Sequence, residues 1–111
     1  MKKDIEIIKH MDEDIIDIFN FTESQNFKSF SESPLIRKAV CMSLINIGEL
    51  TKSLSTSFKN ENKVIPWKNI SGLRDVTAHK YHTLNLDIIW SVVSVEIPKL
   101  KAFIDEYLNN F

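Results

Sequence analysis

The stretch "VCMSLINIGEL", residues 40–50, predicts the central helix of the fold, because it is apolar on two adjoining sides at the spacing of an α-helix. Its apolar positions form two stripes, which are Val40, Leu44 and Ile47, and beside them Cys41, Ile45 and Gly48. A helix with so wide an apolar face packs against neighbours on more than one side. Glycine inside a helix costs about 1 kcal/mol relative to alanine, so we expect another helix to approach the backbone of Gly48 closely. Glu49 follows directly, as a carboxylate at the edge of the core or as an orienting partner for a cation.

The first stripe continues through Leu54 and Phe58, which predicts a central helix from Pro34 to Phe58. Before it, apolar residues at helical spacing predict a first amphipathic helix, and they are Ile5, Ile8, Ile15 and Phe19. The acidic residues of that helix are expected to face water, and they are Asp12, Glu13, Asp14 and Asp17. Residues 20–33 are interpreted as a connection in which Phe27 and Phe30 pack loosely.

Helical patterns also dominate the second half of the chain. Residues 60–63 are a predicted turn, Pro66 opens a predicted third helix, and Asn85 is a suitable cap for a fourth. The fourth helix carries a regular apolar seam of Leu86, Trp90, Val93, Ile97, Leu100, Ile104 and Tyr107. Pro98 lies within this seam and predicts a kink or a break there. Residues 1–111 are therefore predicted to form one all-α domain, an antiparallel bundle of four to five helices.

Composition excludes several classes of protein. No apolar run approaches the roughly 18 residues that span a bilayer, and the N-terminus lacks a signal-type apolar core. The single cysteine, Cys41, cannot form an internal disulfide, so we expect a cytoplasmic protein without membrane contact. The net charge of −1 argues against a broad nucleic-acid-binding face. Residues 1–32 nevertheless carry net −4 and residues 63–82 net +3, which indicates a local anion site in the second segment.

The ionisable residues concentrate in "RDVTAHKYH", residues 74–82. Asp75 and His79 are four residues apart and would share one helix face, so the carboxylate could orient the imidazole. Arg74 and His79 diverge by roughly 140° on a straight helix and cannot both reach one small group. Either the helix ends near Ala78 and the chain turns, or two copies of the protein combine their residues at an interface.

Arginine together with histidine suits a phosphodiester. The guanidinium binds phosphate oxygens in a fork, and the imidazole titrates near neutral pH and can move a proton. In RNA the adjacent 2′-hydroxyl supplies an internal nucleophile, so no metal ion or cofactor is required. The same residues are also compatible with a polar helix end that complements the helix dipole. A metal pair of His79 and His82 is a further alternative, but its third and fourth ligands are not evident.

The segment from Arg74 to Tyr81 resembles the R-x4-H-x-Y motif of the HepT-like HEPN family, the toxin partners of minimal nucleotidyltransferases. "INIGEL" (45–50) is similar to the family's Ile-Gly-Glu signature in its second helix. "IPWKNISGLRD" (65–75) resembles the lead into the motif, and "LDIIWSVVSVEIPKL" (86–100) resembles the closing helix. These segments follow one another in the family's order over nearly the whole chain.

The resemblance implies a HEPN bundle that forms a two-fold homodimer, with a metal-independent ribonuclease site across the interface. Arg74 and His79 would be the catalytic residues, with Asp75 in a supporting polar position. Tyr81 would contact the RNA, with tRNA as one candidate substrate. Tyr81 would also accept AMP from a nucleotidyltransferase antitoxin, which would block RNA. Glu49 and Lys80 are candidates for supporting positions behind these residues.

Two other functions are compatible with the residues. A non-catalytic helical binding module would present Tyr81 and the basic segment to a nucleotidyltransferase or a nucleotide, and the net charge of −1 fits this alternative at least as well. A plain helical oligomerisation domain is the third interpretation. Cleavage of RNA by the protein made alone would distinguish the ribonuclease from the binding module.

Overall fold

The computed structural model describes residues 2–74 and 86–111, and every regular element in these ranges is helical. The helices before the gap are α1 (Lys2–Thr22), α2 (Phe27–Glu32), α3 (Pro34–Lys52), α4 (Thr56–Glu61) and α5 (Trp67–Ser71). After the gap come α6 (Leu86–Ser91), a π-helical segment (Val92–Glu96) and α7 (Ile97–Asn109). The predicted all-α fold class is confirmed. Within the described ranges, no helix combines the length and the apolar character that crossing a membrane requires.

Helix α3 lies at the centre of the bundle, as its two apolar stripes predicted. It packs along α1 and also contacts α2 and α5, while α7 packs on α1. Its residues Val40, Leu44 and Ile47 are completely buried. They meet a core whose fully enclosed members on the other long helices are Ile8, Met11, Ile15, Ile18, Ile97 and Ile104. The helical periodicity therefore identified the inner faces of α3 and α7. On α1 it identified Ile8 and Ile15 but missed Met11 and Ile18.

The prediction for residues 20–33 was wrong, because a short helix forms there and buries Phe30 completely. A reciprocal cap begins this helix: the Asn26 side chain accepts from the Ser29 backbone N–H, and the Asn26 N–H donates to Ser29 Oγ. The ring of Phe30 stacks obliquely on Trp90 of α6, with ring centroids 5.0 Å apart. Two local hydrogen bonds and one long-range ring contact thus order a segment whose serines indicated a loop.

The predicted end of the central helix at Phe58 was also wrong, since α3 ends at Lys52 and a separate helix, α4, follows. Ser55 begins α4, because its Oγ accepts from the Phe58 backbone N–H. The buried Asp4 carboxylate accepts from both the N–H and the Oγ of Ser55, at 2.8 and 2.7 Å. Leu54 and Phe58 remain buried as predicted, although they lie beyond the end of α3. The predicted turn at residues 60–63 begins later, because α4 runs through Glu61.

Two of the four acidic residues of α1 that were expected to face water, Asp12 and Asp14, are half-buried instead. Asp12 accepts a hydrogen bond from Lys101 Nζ on α7 at 2.9 Å, and Asp105 accepts from the same ammonium at 2.8 Å. Burial lowers the pKa of Lys101, but its two hydrogen-bonded carboxylates outweigh that effect and leave the pKa above its ordinary value. This cluster joins the first and last helices by a charged contact that no local pattern indicates.

The irregularity predicted at Pro98 is present and takes a specific form. The π-helical segment Val92–Glu96 directly precedes α7, in which Pro98 occupies the first turn. The Ile97 N–H donates to the Val92 carbonyl, five residues earlier. A wider turn moves the upstream carbonyls away from the proline ring, which in a regular α-helix would clash with the carbonyl four residues before it. The apolar seam therefore continues past Pro98, with Val93, Ile97 and Leu100 all buried.

Candidate functional site

Arg74, the first residue of the ionisable segment, is held in place by the short helix α5. Pro66 precedes this helix, and its apolar residues Trp67 and Ile70 are buried. The Trp67 indole N–H donates to the carbonyl of Asn62 at 3.0 Å, and its ring packs 5.7 Å from that of Phe58. The anchored helix therefore brings the following residues, up to Arg74, against the side of α3.

Gly48 of α3 makes this close approach feasible. A Cβ atom at Gly48 would lie 2.9 Å from the backbone nitrogen of Arg74 and 3.1 Å from the carbonyl oxygen of Ser71. Both are backbone atoms, so neither could move aside without shifting the chain. The expectation that another segment approaches Gly48 is confirmed, and the segment is the one that carries Arg74.

Glu49, next to Gly48, contacts the side chain of the same arginine. Arg74 Nε donates to Glu49 Oε1 at 2.8 Å, and Lys52 Nζ lies 3.6 Å from the same oxygen. The side chains of Arg74 and Glu49 are 40% and 51% exposed, so both can meet a ligand from solution. Of the two interpretations of Glu49, a carboxylate at the edge of the core or a partner for a cation, this ion pair favours the second. Sequence reasoning missed Lys52, although its spacing of three residues from Glu49 on a helix is a signal for such a pair.

Beside the Glu49–Arg74 pair lies a cavity of about 370 Å³ between α1 and α3. Glu49 contributes to its wall from α3, and Glu13, Asp14 and Asp17 contribute from α1. Burial raises the pKa of Asp14, and the hydrogen bond from Asn46 only partly opposes that effect. Glu49 therefore stands between an acidic cavity on one side and the Arg74 guanidinium on the other.

The single cysteine of the chain, Cys41, is unsuited to the role of a nucleophile. Cys41 is buried on α3, and burial raises the pKa of its thiol to about 11. A thiol with that pKa is protonated at neutral pH and is a weak nucleophile.

The other residues singled out from the motif lie outside the described residues. They are Asp75, His79, Lys80 and Tyr81, together with His82 of the alternative metal pair. Their roles stay predictions. The structure brings together Arg74 and Glu49 of the predicted site and adds Gly48 and Lys52 to them.

Comparison with known proteins assigns the helical chain to a family. The family model described as ribonuclease HepT-like matches residues 11–107, a range that runs from α1 through α3 and Arg74 into α7. The chain belongs to the HepT-like ribonuclease family. The resemblance that the motif segments indicated is confirmed, and the helical bundle is that of a HEPN-type ribonuclease.

Individual HepT-like relatives support the same assignment. A protein of Caldanaerobacter subterraneus that is provisionally named an RNase is 37% identical over 83 residues, which cover 75% of this chain and 74% of the relative. A protein of Methanocaldococcus jannaschii with the same provisional name is 36% identical over 98 residues, covering 88% and 81%. The probable ribonuclease HepT of Thermococcus cleftensis is 32% identical over 85 residues, covering 77% of each chain. No solved structure matches the chain significantly.

Proposed function

We propose that this HepT-like chain is the ribonuclease toxin of a toxin–antitoxin pair, and that it cuts RNA in the cytoplasm without a metal ion. The observation that carries the proposal is the solvent-accessible Arg74 guanidinium, which α3 holds through Glu49 in a chain of a ribonuclease family. A guanidinium in that position suits the phosphodiester of RNA, whose oxygens it binds by charge-assisted hydrogen bonds.

The proposed reaction uses the RNA's own 2′-hydroxyl as nucleophile. Its oxygen bonds to phosphorus, the bond from phosphorus to the 5′-oxygen breaks, and a 2′,3′-cyclic phosphate and a 5′-hydroxyl result. Arg74 binds the phosphate and neutralises the charge that develops on it. His79 moves the proton as general base or general acid. Asp75 orients that imidazole, and Lys80 adds positive charge nearby.

A second copy of the chain completes the proposed site. Leu35 and Met42 are exposed apolar residues of α3, and Glu49 is the next residue at the same spacing of seven. Residues seven apart lie within about 20° of each other around a helix, so this apolar stripe leads to the Glu49–Arg74 pair. A homodimer seated on the stripe would cover its apolar side chains. It would also let Arg74 and His79 of different copies act on one phosphate.

The proposed regulation acts through Tyr81. A nucleotidyltransferase antitoxin would transfer AMP to its hydroxyl, and the added phosphate would repel RNA and occupy the space in which it binds. The motif resemblance supports this step.

Purified protein with a mixed tRNA pool in EDTA tests the proposal. Wild-type protein should cleave tRNA and run as a dimer by light scattering, whereas His79→Ala should stay folded by circular dichroism and lose cleavage by at least about a hundredfold. His10→Ala is the matched control, because His10 is a histidine outside the motif that is exposed on α1 beside Glu13. It should cleave like the wild type.

Equal cleavage by His79→Ala would overturn the mechanism. No cleavage by a folded wild-type dimer whose Tyr81 is unmodified by mass spectrometry would overturn the ribonuclease. That result would favour the binding module that partners a nucleotidyltransferase or binds a nucleotide, which the net charge of −1 also suits. Titration of the same protein with ATP and with a nucleotidyltransferase encoded beside it would then test the module directly.

A further inference from the structure

Helix α3 holds Arg74 at both ends of its side chain. At the backbone end, Gly48 allows the Arg74 nitrogen to approach within the space that a Cβ atom would fill. At the far end, Glu49 Oε1 accepts from Nε at 2.8 Å. A free arginine side chain occupies many rotamers, and holding it in one costs conformational entropy. Because Gly48 and Glu49 already order the side chain, less conformational entropy is lost when a ligand binds to Arg74.

The same contact has an electrostatic consequence that opposes binding. Glu49 places a negative charge against the guanidinium, and the cavity on its other side adds those of Glu13 and Asp17. A phosphate that approaches Arg74 meets this negative potential as well as the positive charge. Stability does not explain the pair either, because ion pairs as exposed as this one contribute little to folding.

From these two effects we propose that Glu49 is a positioning residue that weakens RNA binding by Arg74 and raises turnover. The carboxylate keeps the guanidinium in the orientation that the transition state requires, and the loss of affinity accompanies that orientation. The kinetic part of this inference rests on the proposed ribonuclease activity. The part that concerns the orientation of Arg74 and the affinity for RNA is independent of that activity.

Two substitutions at one position separate charge from orientation. Glu49→Gln removes the charge but keeps an oxygen that can accept from Arg74 Nε, whereas Glu49→Ala removes both. Both should lower KM for RNA by about three- to tenfold, because the competing charge is gone. Glu49→Ala should also lower kcat by about ten- to a hundredfold, since a misoriented catalytic group costs rate of that order. Glu49→Gln should keep kcat within about threefold of the wild type.

Glu13→Ala is the matched control. Glu13 lines the same cavity and carries the same charge, but the described ion pair of its carboxylate is with His10. Its removal changes the net charge by the same amount as Glu49→Ala. It should leave kcat unchanged and lower KM by less than twofold, which shows that the larger effects require contact with Arg74.

A spectroscopic readout tests the orientation without any activity. The Nε–Hε signal of Arg74 in a ¹H–¹⁵N spectrum, assigned by its loss in Arg74→Lys, should be sharp in wild type and in Glu49→Gln. It should broaden or disappear in Glu49→Ala, because the proton then exchanges with water. Affinity for intact tRNA, measured in a His79→Ala background, should rise by about three- to tenfold in both Glu49 variants and by less than twofold in Glu13→Ala.

The outcomes distinguish this inference from the proposed function. If wild-type protein does not cut RNA but the Arg74 signal and the tRNA affinity change as described, the ribonuclease proposal fails and the positioning role stands. If wild type cuts RNA and Glu49→Ala keeps both kcat and a sharp Arg74 signal, the positioning role is overturned. Loss of kcat in Glu49→Ala together with weaker tRNA binding would also overturn it, since Glu49 would then favour binding.

Discussion

Two ion pairs of nearly equal length perform different tasks in this bundle. Lys101 and Asp12 lie 2.9 Å apart between α7 and α1, and their side chains are 23% and 18% exposed. Arg74 and Glu49 lie 2.8 Å apart beside α3, with exposures of 40% and 51%. Because water screens the second pair far more than the first, equal geometry does not mean equal stabilisation. The inner pair, Lys101–Asp12, joins two helices. The outer pair, Arg74–Glu49, keeps a cation oriented where a ligand can reach it.

The backbone contact beneath the outer pair gives the largest expected effect on stability. Gly48→Ala should lower the free energy of unfolding by about 3 kcal/mol, because its Cβ would lie 2.9 Å from the backbone of Arg74. Urea denaturation followed by circular dichroism measures the change. The matched control is Gly72→Ala, whose Cβ would meet its nearest atoms at an ordinary 3.4 Å, so it should be neutral or slightly stabilising. Equal effects of the two substitutions would contradict the close approach at Gly48.

The inner ion pair comes next. Lys101→Ala should cost about 2 kcal/mol at pH 7, because it leaves the carboxylate of Asp12 in a partly buried place without its ammonium. The pKa of Lys101 is raised in the folded state, so its stabilisation is complete below the ordinary lysine pKa and is lost as the pH rises through the folded value. The difference between wild type and variant should therefore shrink in strongly alkaline urea titrations. Lys99→Ala, an exposed change on the same helix, should cost almost nothing.

A second buried charge, the carboxylate of Asp4, makes the stability of the fold depend on pH in the acidic range. Burial raises the pKa of Asp4, but its two hydrogen bonds from Ser55 and the positive charges nearby outweigh burial and hold that pKa below its ordinary value. Asp4→Asn should cost about 1.5 kcal/mol at pH 7. The stabilisation by a carboxylate with a lowered pKa is present above the unfolded-state value and is lost as the pH falls through the folded one. Thermal unfolding at pH 7 and pH 2.5 should therefore show a smaller difference at the lower pH.

The outer pair should give the smallest effect on stability. Glu49→Ala should change the free energy of unfolding by no more than about 0.5 kcal/mol, since its ion pair is exposed to solvent. Urea titrations should show this small change in low salt and an even smaller one in 1 M salt, because salt screens exposed charges. A cost comparable to that of Lys101→Ala would mean that the difference in exposure to water does not make the two ion pairs differ in stabilisation.

Patterns of local spacing predicted most of the helices and part of the site. The inner faces of α3 and α7, part of that of α1, the close approach at Gly48 and the irregularity at Pro98 are all visible as periodicity or as single exceptional residues. The errors at Phe30 and at the end of α3 have one cause. In both places the deciding partner is distant in the chain, Trp90 for the ring of Phe30 and Asp4 for the cap at Ser55.

Helical periodicity and an ordered motif are local properties of a chain, so they were enough to predict a helical bundle that resembles the HepT-like family. The sequence also marked Gly48, Glu49 and Arg74 as unusual residues. Packing of the helices was needed to show that Gly48 and Glu49 of α3 hold the two ends of the Arg74 side chain. The physical reason is that the site forms where α5 packs against α3, and contact between residues about 25 positions apart depends on how whole helices pack.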